Sequence, residues 1–347
     1  MNTIQRQSIF EKYFSNQETT IGIATVILIV ALSIAQPAFI SANNILSLII
    51  TFSFVGIVAV GEALIIMTKN FDISVGSVAG MGAIVSTTIM LNTDCFGFLG
   101  TDKEWFGVTL CVIISTLICG CIGLLNSFLI VTVKLTAFVT TIATLYIARG
   151  IANVLTKGVP VNPLPETVNR LGELKLKFSP DAENGISYVF IIFMALVICF
   201  EIILRKTSFG RNVYATGSNI NVAQLAGINV NKVRYICFII TSMLAGFSGF
   251  TVSAYIQMGY PMSGNMWELL IIASVVVGGV SMTGGKGSMI GVFIGIVLIH
   301  VMSTGLVTLG LNTFLSYVVQ GALIVAAVLM DNISRSRKVK NLATTSA

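Results

Sequence analysis

Long apolar runs separated by short polar breaks repeat along nearly the whole chain. Runs long enough to cross about 30 Å of hydrocarbon as helix fall near 20–38, 45–67, 73–92, 106–131, 136–155, 187–204, 234–256, 266–282, 288–309 and 313–331. The pattern therefore predicts an all-α polytopic membrane protein with about ten transmembrane helices in a single transmembrane domain over 1–347. The third and eighth runs are the weakest. Two polar breaks are longer than a turn. One, 156–187, holds Pro160, Pro163, Pro165 and Pro180 among mixed charges and reads as an extended outer loop with a short helix after Pro165. It is either a connector or a landing surface for an external partner. The other, Arg205 to Arg234, holds five Lys or Arg and no acid.

Charge tests the span count independently, because cytosolic loops of membrane proteins are enriched in Lys and Arg. With ten spans and a cytosolic N-terminus, fourteen of the 20 cations fall inside: Arg6, Lys12, Lys69, Lys134, the five of 205–234, Lys286, Arg335, Arg337, Lys338 and Lys340. Five fall outside (Lys103, Lys157, Arg170, Lys175 and Lys177), and Arg149 lies within a span. Both termini are expected in the cytosol. The net charge of +6 is then mainly orientation charge facing the inner leaflet and anionic lipid, not a nucleic-acid surface. Composition agrees: 55% of residues are hydrophobic, 10% are charged and the mean hydropathy is +0.93, whereas soluble domains carry about 25% charged residues. No cleavable signal peptide is expected, since the first apolar run continues to a full span. Five of six cysteines fall within spans and only Cys95 reaches an outer loop, so no disulfide framework or metal-ligand spacing is present.

Chemistry-bearing residues are few. The run GGVSMTGGKGS (278–288) superficially suggests a phosphate-binding loop, but Val280 stands where such a loop needs its first glycine and Gly287 where it needs Ser or Thr. It reads as a tight cytosolic turn with Lys286 at the lipid surface. The lone histidine, His300, sits mid-span and reads as a packed, hydrogen-bonded residue. No catalytic set and no metal site can be assembled. Pairs such as Gly76/Gly80 and Gly291/Gly295 have the spacing at which membrane helices approach closely. Asp72 is placed to cap the helix that follows it.

Glu62, Arg149 and Glu268 lie in or beside spans, where a charge is costly and faces a partner or water. With Trp267, beside Glu268, they are the candidates for a polar translocation path. Arg149 is also open to snorkelling or to pairing with a carboxylate, and Trp105 and Trp267 to anchoring at the outer interface. Within 205–234, Asn219 and Asn221 are N-cap residues, VAQLA is a short helical run and Gly227 a stop, followed by Asn229 before the next span. A helix of one to two turns is expected along the cytosolic face.

Four segments resemble one known family: MTKNFDISVGS (67–77), LYIARG (145–150), SFGRNVYATGSNINVAQLAGINVNKV (208–233) and WELLIIASVVVGGVSMTGGKGSMIG (267–291). They are similar to the permease subunits of bacterial ABC importers in the ribose/galactose branch, and the likeness covers nearly the whole chain. The resemblance implies a multi-pass protein of the bacterial inner membrane that pairs with a second permease, the same or related. It further implies a cytosolic ABC ATPase and a periplasmic sugar-binding protein as partners. ATP and magnesium would belong to the ATPase, with no cofactor in this chain and no reaction catalysed by it beyond translocation. It also implies that the region around 205–234 is the coupling segment, with Asn219, Ala223, Leu225, Ala226 and Gly227 in the ATPase contact and Arg211 nearby. Two positions depart from the family pattern: Asn70 stands where a glycine is common, and Glu62 where the span is usually uncharged. The RNVYATGSN and NFDISVG variants also resemble permeases for autoinducer-2, so the cargo is a pentose or hexose, autoinducer-2 or another small polyol. A stand-alone ion-coupled transporter is the reading from another class.

Overall fold

A computed structural model describes residues 17–92, 104–177 and 185–312, together with 314–315, 318–319, 321–322 and 325. Most of the tenth expected span, 313–331, lies outside the described residues. So do Arg6, Lys12, Lys103, Arg335, Arg337, Lys338, Lys340, Cys95 and Pro180. Among the described residues the regular structure is helical apart from one small hairpin. Its elements are α1 Gln17–Ala35, a 3₁₀ turn Pro37–Ile40, α2 Ala42–Met67, α3 Val75–Asn92, α4 Glu104–Ser127 with a π turn Phe128–Thr132, α5 Ala137–Thr156 and α6 Glu166–Glu173. Strands β1 Lys175–Lys177 and β2 Gly185–Ser187 pair antiparallel, Lys175 opposite Ser187. Then come α7 Tyr188–Lys206, α8 Ser208–Ser218, α9 Ile220–Leu225, α10 Val230–Ile256, α11 Trp267–Val277 and α12 Met289–Thr308.

Seven of these are long and apolar enough to cross a membrane: α1, α2, α4 with its π turn, α5, α7, α10 and α12. The third and eighth runs, 73–92 and 266–282, form shorter apolar helices instead. α11 has 11 residues and rises only about 16 Å at 1.5 Å per residue. Its ends explain the shortfall. Met266 takes φ +62° immediately before it, and Gly279 takes φ +97° just beyond it, so the helix is cut at both sides by backbone that a right-handed helix cannot contain. The adjoining segment 257–266 is irregular chain, whose backbone polar groups must be satisfied by protein wherever water is excluded.

The core sits around α2. From Phe52 to Met67 every residue of this helix is buried, consistent with a helix apolar on all sides and wrapped by others; α7, α10, α11 and α12 pack against it. α10 forms the second axis and packs on α2, α3 and α4. Near the crossing of α3 and α10, Gly82 meets Gly246 so closely that a Cβ on either side would overlap backbone or Cys119. His300 is packed and bonded as expected: its Nδ1 lies 2.9 Å from the Ile296 carbonyl and its ring stands edge-on to Phe52.

The segment after Val159 packs against the body of the chain. Leu164 and Val168 are buried in a small core with Met90, Val108, Cys111, Phe250 and Ala254, and the Thr167 hydroxyl donates to Glu104. The short helix expected after Pro165 is α6. Val161 and Gly259 exchange backbone hydrogen bonds, tying this cap to the chain that follows α10.

Candidate functional site

Three polar arrangements stand out against the apolar bundle. The first is built on α5, α3 and the irregular segment before α11. Arg149 Nη1 donates to the carbonyls of Pro261 and Ser263 at 2.7 and 2.8 Å, and Nη2 to the Gly76 carbonyl at 3.3 Å. A planar guanidinium can serve several acceptors at once, which a lysine cannot. The irregular segment thus has two carbonyls satisfied by a side chain from another helix. Gly76 and Gly80 make room for this, since a Cβ on Gly80 would lie 2.5 Å from Arg149 Nη1 and one on Gly76 2.6 Å from Glu268 Oε2. These glycines therefore accommodate a clamp and a loop rather than a helix pair. Gly291 and Gly295 do serve helix packing, against Gly278 and Ser274 at the end of α11.

Arg149, Glu268 and Trp267, singled out from sequence, thus converge on one region. Arg149 and Glu268 are half-buried, and Trp267 packs partly against the main core. One turn before Arg149, Tyr146 is 72% exposed, and Asn265 and Met266 are exposed beside Glu268. Ser263, whose buried hydroxyl has no hydrogen-bond partner among the described residues, was not visible as a site residue in the sequence. Trp105 stands apart, exposed at the start of α4.

The second arrangement centres on Asp72, just before α3. Glu62 Oε1 accepts from the Asp72 amide at 2.9 Å, and Asp72 Oδ1 accepts from the Ser74 amide at 2.8 Å and from its hydroxyl. Asn126 donates to Asp72 Oδ2 at 3.3 Å and to Ser74 Oγ at 3.1 Å, and the Thr144 hydroxyl donates to Asn126 Oδ1 at 2.6 Å. All five side chains are buried. Asp72 does not cap α3 as expected: the helix starts at Val75, the Ser74 carbonyl accepts its first bond from Val78, and the Asp72 carboxyl takes the Ser74 amide in an Asx turn that leads into the helix. Glu62 joins this network from the last turns of α2, with different partners from those of Arg149. Asn126 and Thr144 could have been found as polar residues inside apolar runs.

The third arrangement is the polar segment after α7. Thr207 caps α8, an 11-residue helix that the sequence reading passed over, and the Asn219 side chain caps α9 by accepting from the amides of Asn221 and Val222. Gly227 takes φ +80° and ends α9, with the Ile228 amide bonded back to the Ala223 carbonyl, an ending that favours glycine. Leu225 is 88% and Val222 60% exposed, three residues apart and so on one face of the turn. Asn219, Ala226, Gly227 and Arg211 are also exposed, whereas Ala223 is buried against the chain's own body. Val222 had not been singled out.

α8 fastens this helix to the bundle. Gly217 sits directly against the Met67 carbonyl at the end of α2, leaving no space for a Cβ. Lys69 Nζ donates to the Ser218 carbonyl at 3.1 Å, the Gly285 amide to Met67 at 2.9 Å, and the Tyr214 hydroxyl to Gly287 at 2.8 Å. Burial, helped by the negative charge of Glu201, holds the Tyr214 phenol above its ordinary pKa, so it keeps the proton it donates. The glycine run 278–288 is thus closed against α2 and α8, with Lys286 exposed. Among the described residues no group of three or more His, Cys, Asp or Glu is placed to hold a metal ion.

Residues 44–328 match a family model described as branched-chain amino acid transport system / permease component. The chain belongs to this permease family. It is 30% identical over 332 residues to the ribose import permease protein of Escherichia coli (strain K12), covering 95% of this chain and 98% of the relative. It is 29% identical over 322 residues to the galactose/methyl galactoside import permease protein of the same organism, covering 93% and 96%. With the autoinducer 2 import system permease protein of Photorhabdus luminescens it shares 30% over 318 residues, 91% of this chain and 90% of the relative. No solved structure matches the chain.

Proposed function

We propose that this chain is the membrane-spanning permease of an ATP-driven importer in the bacterial inner membrane, moving a small cyclic polyol delivered by a periplasmic binding protein. The observation that carries the reading is α9: a capped helix with Val222 and Leu225 exposed, braced through α8 on the end of the most buried helix of the bundle. An exposed apolar pair on a rigid mount suits a partner that delivers force. The partner would be an ABC ATPase with its own ATP and magnesium, seated against Asn219, Val222, Leu225, Ala226 and Gly227, with Arg211 at the rim.

The cargo path runs past Arg149, Trp267 and Glu268, against a second permease subunit, the same or related. Glu62 acts from behind, through Asp72. Ribose, galactose and autoinducer-2 permeases are similar to the chain at 29–30% identity, which supports the cargo class of a monosaccharide or small polyol and favours no member of it.

Uptake into membrane vesicles holding the chain with its ATPase and binding protein tests this. Uptake should require ATP and the binding protein; uptake by the chain alone, driven by an ion gradient, would make it a secondary transporter instead. Leu225→Glu should abolish co-purification of the ATPase while leaving insertion and thermal stability unchanged.

A further inference from the structure

At the end of the bundle that carries α9, a cavity of about 610 Å³ opens between the segment after α2, the turn after α4 and the coupling helix. Lys69, Lys134 and Arg234 line it, and no carboxylate does. The nearest acid in sequence, Asp72, is turned away, its oxygens taken by Ser74 and Asn126. Asn70, Gln224 and Asn231 add amide groups to the wall. The floor is apolar, with Phe71 and Phe138 in edge contact at 6.5 Å.

Three like charges around one cavity repel one another unless an anion joins them. The donors are also incompletely used. Arg234 Nη2 reaches the Thr68 carbonyl at 3.4 Å, but its Nε is buried with no hydrogen-bond partner among the described residues. Lys134 is exposed and takes φ +65°, a conformation a lysine rarely adopts. Lys69 shares that feature at φ +64° and spends one bond on Ser218, so the cavity is wired to the residue that precedes Asn219.

We propose that this cavity is an anion site for a phosphate group, with Arg234 and Lys134 as its principal donors. Basic cavities between membrane helices on the cytosolic side suit phosphorylated head groups, and the same donors suit a soluble phosphate ester. Because Ile220 and Gln224 of α9 form part of its wall, a bound phosphate would brace the coupling helix against the bundle. The site stands whether or not the importer reading does, since binding is read without transport.

The test uses the full chain in nanodiscs. In neutral phosphatidylcholine nanodiscs, radiolabelled inorganic phosphate and glucose 6-phosphate are titrated. In a second arm, retention of phosphatidylglycerol from mixed nanodiscs is read by native mass spectrometry. Lys134→Gln with Arg234→Gln should weaken binding at least tenfold, and Lys134→Gln alone, at an exposed position, at least threefold. Lys232→Gln, which removes the same charge outside the cavity, should change it less than twofold. Binding in the first arm assigns a soluble ester and binding confined to the second a lipid head group, both supporting the site. Wild type and both cavity variants behaving alike in both arms, or Lys232→Gln weakening binding equally, overturns it.

Discussion

The two polar clusters flanking the head of α3 solve opposite problems. Around Asp72 the groups needing partners are amides just before a helix, and two acidic side chains meet them: Glu62 takes the Asp72 amide and Asp72 takes that of Ser74. Around Arg149 the groups needing partners are carbonyls of irregular chain, and a guanidinium meets two of them, besides the Gly76 carbonyl in the first turn of α3. Backbone entering a helix exposes donors, so carboxyl oxygens suit it. The irregular segment exposes acceptors, so a guanidinium suits it. Side-chain donors and acceptors in this domain are thus matched to the polarity of unpaired backbone. The clusters differ in access: the first is wholly buried, the second borders the exposed surface at Tyr146 and Asn265.

Arg149→Leu has the largest expected effect, because it leaves the Pro261 and Ser263 carbonyls of the irregular segment without their donor. A stability loss on the order of 3 kcal/mol is expected from lost charge-assisted bonds, read as a lowered unfolding temperature in detergent, with uptake reduced at least tenfold. Arg149→Lys should fall between, because an ammonium lacks the flat fork that spans Pro261 and Ser263. Full uptake by Arg149→Leu would show the clamp to be incidental.

Asp72→Ala removes the acceptor for the Ser74 amide and hydroxyl and for Asn126, and a loss of about 2 kcal/mol is expected. Thr144→Val, at the far end of the same chain of bonds, should cost about 1 kcal/mol. Glu62→Gln should be the smallest change, since an amide oxygen still accepts from the Asp72 backbone. A large loss for Glu62→Gln, measured in the same unfolding series, would mean that the charge and not the acceptor matters there.

Much of this was legible beforehand, and particular residues show why. Asn219 and Gly227 act within a few positions of themselves, so the cap and the stop of α9 follow from local backbone chemistry. Runs 73–92 and 266–282 hold the short helices, and what shortens α11 is backbone with positive φ at Met266 and Gly279, which hydropathy does not show. Ala223 was different. A six-residue helix has too short a pattern to show which side faces the bundle, and the pairing of Val222 with Leu225 emerged only with α8 in place. Arg149 was conspicuous as a charge in a span, but its partners are main-chain carbonyls 112 and 114 residues away, and carbonyls leave no mark in a sequence.

Hydropathy and capping act over one span or one turn, so the membrane class, most of the apolar helices and the Asn219 and Gly227 ends of α9 follow from the sequence by itself. Tertiary structure alone decided which buried polar groups meet and which glycines yield to a side chain. It also decided that α8 mounts α9 on α2, and that Lys69, Lys134 and Arg234 share one cavity. Those outcomes depend on contacts between distant segments, where close packing and the pairing of most buried polar groups select the partner.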